Sequence, residues 1–249
     1  MFVAASSECF PELSLDGVLQ RFVDLEYSNI EIAVHERGGQ IKPSDLVRDL
    51  DSAVAACRET YRLTISGYSV QIEAEGEPYY DQFAACCRLA KATKVVSLTV
   101  PSAELGTPFN AEIERLQRLV ALATSDGVRV SIKTETGTMT QDPDTAAVLC
   151  DNVKGLGLTL DPSHYIYGPH AGGSIDHLMK YVYNMHLRDT TKDKLQVRIG
   201  QGEIEYSRLI SQLEKLKYNR ALVVHITEME GDDHVAELRK MRLLLESML

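Results

Sequence analysis

The chain has 249 residues, of which 44% are hydrophobic, and its formal net charge is -10. This length is close to the roughly 250 residues of a single (β/α)₈ barrel domain and is ample to bury a core without disulfides. The acidic balance and the lack of a basic block argue against nucleic acid as a partner. No apolar run approaches the length of a membrane span, so a membrane partner is not expected either.

The cysteines and the first residues bear on the cellular compartment. The five cysteines are an odd number without metal-ligand spacing, and most fall in helix-like stretches, which favours buried free thiols in a reducing compartment. The segment MFVAASSECF lacks the charged and long apolar regions of a signal peptide. We therefore expect a soluble, cytoplasmic protein.

Short β-branched runs alternate with amphipathic stretches along the whole chain. The eight candidate strands are residues 2–6, 30–35, 63–72, 95–100, 128–135, 156–161, 182–187 and 221–227. Between them apolar residues recur every three or four positions, which is the helical period. Ser14, Ser44 and Asp142 stand where helix N-caps are expected. The sixth helical stretch, GPHAGGSIDHLMKY, has room for only one or two turns.

This alternation predicts a parallel sheet, and eight repeats in this length favour a closed barrel. An open nucleotide-binding sheet would need a glycine-rich turn after the first strand, but that turn is SSECFPEL. No Pro-, Gly- or Ser-rich linker interrupts the chain. We expect one α/β domain over residues 1–249, a single (β/α)₈ barrel.

Polar, metal-capable side chains cluster where the later strands end. GLTLDPSHY places Asp161 and His164 at the end of the sixth strand, and NMHLRDT places His186, Arg188 and Asp189 at the end of the seventh. Active sites of (β/α)₈ barrels lie at the C-terminal ends of the strands. These side chains are therefore expected to point at one place.

The segments LDPSHY, HLRD and GQGEIEY, in this order, resemble the xylose isomerase-like barrel superfamily. That superfamily includes sugar-phosphate isomerases and epimerases, and apurinic endonucleases of the type IV kind. The resemblance covers nearly the whole chain. It implies an isomerase or epimerase of carbohydrate metabolism, in which a C–H next to a carbonyl loses a proton and the proton returns elsewhere.

The resemblance also implies a divalent metal held by a Glu, an Asp, a His and a Glu on the fifth to eighth strands. Asp161 and His186 match the second and third of these positions, but Lys133 and His225 stand where the two Glu residues are expected. A protonated lysine about 4 Å from a divalent ion would be repelled by roughly 8 kcal/mol at an effective dielectric of about 20. A charged Lys133 and a neighbouring metal therefore exclude each other.

Three interpretations of this site remain open. In the first, Asp161, His186 and His225 bind a divalent metal such as Zn, Mn, Mg, Co or Fe, and Glu135, two residues beyond Lys133 on the same strand face, is the base. In the second, no metal binds, because Lys133 replaces its charge and pairs with Asp161, and His186 or His225 acts as acid and base. In the third, Lys133 forms a Schiff base, as in metal-independent aldolases or dehydratases.

Three further residues are candidates for substrate binding. His164 begins the loop after the sixth strand, and Arg188 is suited to gripping a phosphate or carboxylate in bidentate fashion. Glu203 in GQGEIEY reaches the pocket in one interpretation and caps the next helix in the other. The competing interpretation of Arg188 is a salt bridge to Asp189 or Glu203.

The expected partner is a small sugar or sugar phosphate, and a homodimer is possible. The main alternative to an isomerase or epimerase is a non-catalytic ligand-binding or assembly barrel that has lost the metal site. In that case Lys133 and Asp161 would form only a structural ion pair at the barrel top.

Overall fold

The computed structural model describes all residues 1–249 and contains eight parallel strands closed into a barrel. The strands are β1 (Phe2–Ser6), β2 (Asn29–His35), β3 (Thr64–Gln71), β4 (Ser97–Pro101), β5 (Arg129–Lys133), β6 (Leu156–Leu160), β7 (Val182–Leu187) and β8 (Ala221–Val224). Each strand pairs with its neighbours in chain order. The ring closes between β1 and β8, where Phe2 lies opposite Ala221 and Ala5 lies opposite Val224.

Nine α-helices surround the barrel. They are α1 (Leu15–Asp24), α2 (Pro43–Arg48), α3 (Leu50–Ala56), α4 (Glu77–Ala92), α5 (Phe109–Ser125), α6 (Pro143–Asn152), α7 (Ser163–Tyr167), α8 (Tyr206–Lys215) and α9 (His234–Glu246). Single 3₁₀ segments cover Ser7–Cys9, Met139–Gln141 and Asp176–Tyr181. The sixth unit is as short as its sequence predicts. None of the helices combines the length and hydropathy that a membrane span requires.

The predicted strands are all present, but two end at least two residues earlier than expected. β5 ends at Lys133 and β8 at Val224, whereas the β-branched pattern continues to residues 135 and 227. Beyond β5 the chain turns away from the ladder with β4, although the Thr134 amide still donates to Thr159 O. Glu135 therefore lies in the loop after β5 rather than on the strand.

Two of the three predicted helix caps are confirmed. The side chains of Ser14 and Asp142 accept backbone N–H groups at the starts of α1 and α6. The prediction for Ser44 is wrong because α2 begins at Pro43, one residue earlier. Ser44 Oγ instead donates to Glu36 Oε1 at 2.7 Å.

The apolar core lies between the barrel and its helices. One cluster of 59 buried residues includes the inner faces of the helices and the outward-facing residues of the strands. All five cysteines are buried and free, which the sequence predicts for the four in helix-like stretches. Burial raises the pKa of each thiol. These residues act as small hydrophobic side chains rather than as reactive thiols.

The interior of the barrel is polar. Thr159 Oγ1 forms 2.7 Å hydrogen bonds with Thr99 Oγ1 and with Ser131 Oγ. From β2, Glu31 reaches across the barrel to Asn184 and accepts a hydrogen bond from its Nδ2 at 2.6 Å. Barrels of this class are usually filled by Val, Ile and Leu. Here hydroxyl, amide and carboxylate groups fill the space directly below the C-terminal mouth.

Candidate active site at the barrel mouth

A polar cavity of about 230 Å³ lies at the C-terminal ends of β1 to β5. Its lining residues are Glu8, His35, Ser69, Val70, Gln71, Thr99, Val100, Pro101, Lys133 and Glu135. Most of them carry hydrogen-bonding side chains, and two of the three predicted catalytic residues, Lys133 and Glu135, are among them. The third, His225, lies behind Glu8.

Lys133 and Glu135 are neighbours in this cavity. Lys133 is the last residue of β5, and its side chain is 15% exposed. Its Nζ lies 3.9 Å from Glu135 Oε1, although Glu135 follows the strand end. The predicted pair of Lys133 with Asp161 is absent, because Asp161 is bound to a different cation. The cavity thus contains an ammonium and a carboxylate side by side.

Glu8 supplies a second carboxylate from the turn after β1. Its Oε2 accepts a hydrogen bond from His225 Nε2 at 3.2 Å, whereas its Oε1 is buried without a hydrogen-bond partner. His35 Nε2 lies 3.7 Å from Oε1, beyond hydrogen-bond distance. Burial alone would raise the pKa of Glu8, but its interactions with His225, Lys133 and His35 hold that pKa well below its usual value. Glu8 is therefore an ionised group with one free oxygen.

His225 lies between Glu8 and Arg188. Arg188 Nη2 donates to His225 Nδ1, so Nδ1 carries the lone pair and Nε2 carries the proton that is donated to Glu8. Burial, together with the positive charges of Arg188 and Lys133, lowers the pKa of His225 to about 3. The imidazole is therefore neutral at physiological pH, and its tautomer is fixed by its two neighbours.

Asp161 and Arg188 form a buried ion pair beside this imidazole. Arg188 Nε and Nη2 lie 3.1 Å and 2.9 Å from Asp161 Oδ2, and neither residue is more than 5% exposed. Asp161 Oδ1 accepts from the Ser163 amide at 3.0 Å and also from Ser163 Oγ. Burial opposes ionisation of Asp161, but the Arg188 cation outweighs it and holds the pKa of this carboxyl far below its usual value. The predicted alternatives for Arg188, salt bridges to Asp189 or Glu203, do not form.

His186 points into the barrel, below the mouth. Its Nε2 lies 2.7 Å from Glu31 Oε2, and both side chains are almost completely buried. Its ring stacks on that of His225, with centroids 4.7 Å apart and planes inclined by 30°. His186 Nδ1 is buried and has no hydrogen-bond partner. His186 and His225 thus belong to one buried cluster, but they do not bind a common group of the protein.

The two remaining substrate-binding candidates lie in different places. His164 is buried beside Asp161, with Nε2 3.8 Å from Asp161 Oδ2, and its Nδ1 accepts from the Thr136 amide at 3.1 Å. Burial lowers the pKa of His164. Glu203 is exposed and lines a separate groove of about 370 Å³ at the rim, together with Arg208. Glu203 does not line the mouth cavity, and its side chain does not cap α8.

The glycines of GQGEIEY have a structural role in binding Asp189. The amides of Gly200 and Gly202 donate to Asp189 Oδ2 at 2.7 Å and 3.0 Å. Gly200 has a positive φ of 87°, and a Cβ on Gly202 would lie 1.9 Å from Asp189 Oδ1. The HLRD and GQGEIEY motifs therefore form one structural unit, in which the carboxylate of Asp189 after β7 holds the following loop by hydrogen bonds.

The donor atoms of the predicted metal site are largely occupied by other groups. Both oxygens of Asp161 accept hydrogen bonds from Ser163 or Arg188, and the lone pair of His225 accepts from Arg188. His186 Nδ1 alone is uncommitted. No three His, Cys, Asp or Glu side chains are arranged to hold a metal ion. The residues present do not fit a divalent ion at this place, and a guanidinium lies where the resemblance implies the metal.

Comparison with known proteins places the chain in a family. A family model described as a xylose isomerase-like TIM barrel matches residues 19–246. The chain belongs to this family. No curated protein sequence matches the chain significantly.

Several solved structures share the fold of this family member. One is a D-allulose 3-epimerase from Methylomonas sp., with 12% identity, a TM-score of 0.77 and coverage of 100% of this chain and 98% of that chain. A second is a xylose isomerase-like TIM barrel protein from Mycobacterium smegmatis in complex with magnesium, with 16% identity, a TM-score of 0.76 and coverage of 99% and 95%. A third is an IOLI protein with a binding zinc atom, with 16% identity, a TM-score of 0.76 and coverage of 100% and 99%. At these identities the likeness concerns the fold.

Two acidic residues at the centre of the site are not predicted from the sequence. Glu8 lies in SSECF, a segment that was used only to exclude a glycine-rich turn after the first strand. Glu31 lies in the strand NIEIAVH, where a lone acid among apolar residues is the available signal for a buried polar contact. Their partners are 217 and 155 positions away along the chain. Local spacing therefore does not reveal these contacts.

Proposed function

We propose that the mouth cavity binds a small sugar or sugar phosphate and transfers a proton next to its carbonyl group, as an isomerase or epimerase does. The observation that carries this proposal is the position of Lys133 Nζ, 3.9 Å from Glu135 Oε1 in one polar cavity of about 230 Å³. A carboxylate can remove a proton from carbon, and an adjacent ammonium can stabilise the negative charge that develops on the carbonyl oxygen.

In this scheme Glu135 is the base and Lys133 is the electrophile. Glu135 removes the proton from the carbon next to the carbonyl, and the electron pair moves to the carbonyl oxygen, where Lys133 donates a hydrogen bond. Return of a proton to the neighbouring carbon gives the isomerised sugar, and return to the same carbon from the opposite face gives the epimer. The ammonium of Lys133 thus takes the part that a metal cation plays in polarising a carbonyl.

Glu8 is the second acid–base group that this scheme needs. It follows β1 and Glu135 follows β5, so in an eight-stranded ring the two carboxylates approach the cavity from opposite sides. Glu8 Oε1 has no partner within the protein. An epimerase needs acid–base groups on both faces of a planar intermediate. Glu135 removes the proton from one face and later releases it to water. Glu8, which is ionised in the resting protein, takes up a proton from water before it delivers one to the other face.

The cavity wall between these groups suits a polyhydroxylated ligand. His35 Nε2 and Ser69 Oγ lie 3.1 Å apart, and the side chains of Gln71 and Thr99 also line the cavity. These groups donate and accept hydrogen bonds, which fits sugar hydroxyls better than an apolar ligand.

The test is exchange of carbon-bound hydrogen in D₂O, followed by NMR over a panel of ketoses, aldoses and their phosphates. The wild-type chain should replace the C–H next to the carbonyl of its substrate with deuterium. Glu135→Gln and Lys133→Met should each lower the exchange rate by about 10²–10⁴-fold. Glu203→Gln is the matched control, because this exposed carboxylate lies outside the cavity and its loss should leave the rate unchanged.

Two results would replace the proposal. If borohydride reduction traps a keto-sugar covalently on Lys133, the chemistry is that of a Schiff base, of the aldolase or dehydratase type. Saturable sugar binding in a thermal-shift screen, without hydrogen exchange for any ligand that binds, would favour the non-catalytic binding barrel.

A further inference from the structure

The guanidinium of Arg188 is fixed between Asp161 and His225. We infer that Arg188 is a built-in cation that takes the place of a divalent metal in this barrel, so that the site binds no metal ion. This inference concerns the resting protein without substrate. It can therefore fail or succeed independently of the proposed proton transfer.

Asp161 has little capacity left for a metal. Its Oδ2 accepts from Arg188 Nε at 3.1 Å and forms an ion pair with Arg188 Nη2 at 2.9 Å. Its Oδ1 accepts two hydrogen bonds from Ser163. A carboxylate offers about four lone-pair sites, and here three serve hydrogen bonds within the protein while the Arg188 guanidinium lies against Oδ2. A metal could reach Asp161 only by displacing one of these donors.

His225 is excluded as a ligand by its tautomer. Metal binding needs an imidazole lone pair, and in His225 that lone pair is on Nδ1, which accepts from Arg188 Nη2. The other nitrogen, Nε2, donates to Glu8 Oε2. The same guanidinium thus blocks two of the three predicted ligands. The third, His186, retains a free Nδ1 but cannot hold an ion alone.

Arg188 cannot vacate the site by losing its charge. A buried lysine can become neutral near a metal, but a guanidinium remains protonated in proteins. Arg188 is 5% exposed, so leaving the pair would also strand the Asp161 carboxylate in the protein interior. The positive charge at this place is therefore permanent.

One nitrogen of the guanidinium remains available to a ligand. Nε and Nη2 are used by Asp161 and His225, whereas Nη1 donates to no group of the protein. A fixed N–H donor with a full positive charge can bind a ligand oxygen, as a metal ion would, but with directional hydrogen bonds in place of coordination.

Manganese binding to the full chain tests the inference directly. Protein stripped with EDTA is titrated with Mn²⁺, free ion is read by electron paramagnetic resonance, and NMR of ¹⁵N-labelled histidines reports where the ion binds. The wild-type chain should show no stoichiometric Mn²⁺ that broadens the signals of His186 and His225. One Mn²⁺ per chain that broadens these signals would overturn the inference. This measurement uses the wild-type chain and needs no variant.

Two variants should create the site. Arg188→Ser should raise Mn²⁺ affinity at least about tenfold over the wild-type chain. The combination Lys133→Glu, Arg188→Ser and His225→Glu should raise it further, because it supplies a Glu, Asp, His and Glu set. Arg198→Ser, which removes an exposed arginine paired with Asp232, is the matched control and should bind no better than wild type. If folded Arg188→Ser and Arg198→Ser bind Mn²⁺ equally, Arg188 is not what excludes the metal.

Discussion

Arg188 and Asp161 form a buried ion pair at the barrel mouth, with Nη2 2.9 Å from Oδ2. Because both groups are out of water, each depends on the other to offset the free energy of desolvation. The pair also orients the guanidinium towards His225. The position of the guanidinium beside His225 therefore depends on this contact.

Replacing Asp161 with Asn should destabilise the protein strongly. The change leaves the Arg188 cation buried without a counter-charge, and we expect the free energy of unfolding to fall by about 3–5 kcal/mol. Urea unfolding followed by circular dichroism measures this. Asp176→Asn is the control, because Asp176 pairs with Arg208 at the surface and its loss should cost at most about 1 kcal/mol. Equal effects of the two changes would contradict the assigned role of the buried pair.

The stability of the fold should also depend on Glu31. Glu31→Ala would leave His186 Nε2 and Asn184 Nδ2 without a partner in the barrel interior, and should lower the free energy of unfolding by about 1–3 kcal/mol for each of these two groups. Glu31→Gln keeps the shape and part of the hydrogen bonding, so its cost should be about 1–3 kcal/mol. Glu77→Ala, which breaks a surface pair with Arg118, serves as the control. If Glu31→Ala were no worse than Glu77→Ala, the interior cluster would not support the fold.

Gly202→Ala should disturb the loop after β7. The added Cβ would lie 1.9 Å from Asp189 Oδ1 and 2.6 Å from Thr190 O, so the loop must shift and lose its bonds to Asp189. We expect a loss of about 1–3 kcal/mol in the free energy of unfolding and faster hydrogen exchange at the Gly200 amide. Gly173→Ala is the control, since its nearest neighbour would be 3.5 Å away. Unchanged protection at Gly200 would show that Asp189 does not hold the loop.

The protein should lose stability in mild acid because three buried histidines resist protonation. Burial lowers the pKa of His35, His164 and His225, the last to about 3. Below the ordinary histidine pKa of about 6.5, the unfolded chain therefore binds more protons than the folded chain. The free energy of unfolding should fall with decreasing pH, by up to about 1.4 kcal/mol per pH unit for each histidine.

The carboxylates affect the free energy of unfolding at lower pH than the histidines do. Asp161 and Glu8 have lowered pKa values, so their contribution is present above about pH 4 and is lost below it. A decline that starts near pH 6.5 thus belongs to the histidines. Urea unfolding between about pH 7.5 and about pH 5 measures it, and His35→Gln should reduce the slope. A stability that is flat across this range would refute the explanation.

The sequence predicts the strands because a closed parallel barrel repeats one local pattern eight times. β7 begins and ends where expected, while β5 and β8 end early because β-branched residues continue past the last ladder pairs. The positions of Lys133 and Glu135 in one cavity also follow from local spacing at a strand end.

The partners of the charged groups could not be predicted in the same way. Arg188, which follows β7, bonds to Asp161 after β6 and to His225 after β8, although Asp189 is adjacent in sequence. Alternation predicts that Arg188 faces inward, but it does not say which acid the guanidinium meets. That choice depends on side-chain length and on depth within the barrel, which are properties of the packed structure.

The contact between Glu8 and His225 joins residues 217 positions apart, beyond the tips of the first and last strands. Neither terminal segment alone forms this wall of the cavity, so it exists only when the two ends of the sheet have met. A ligand specific for the cavity would therefore serve as a reporter of ring closure. It would distinguish the completed barrel from an expanded form with the same helical content but separated termini.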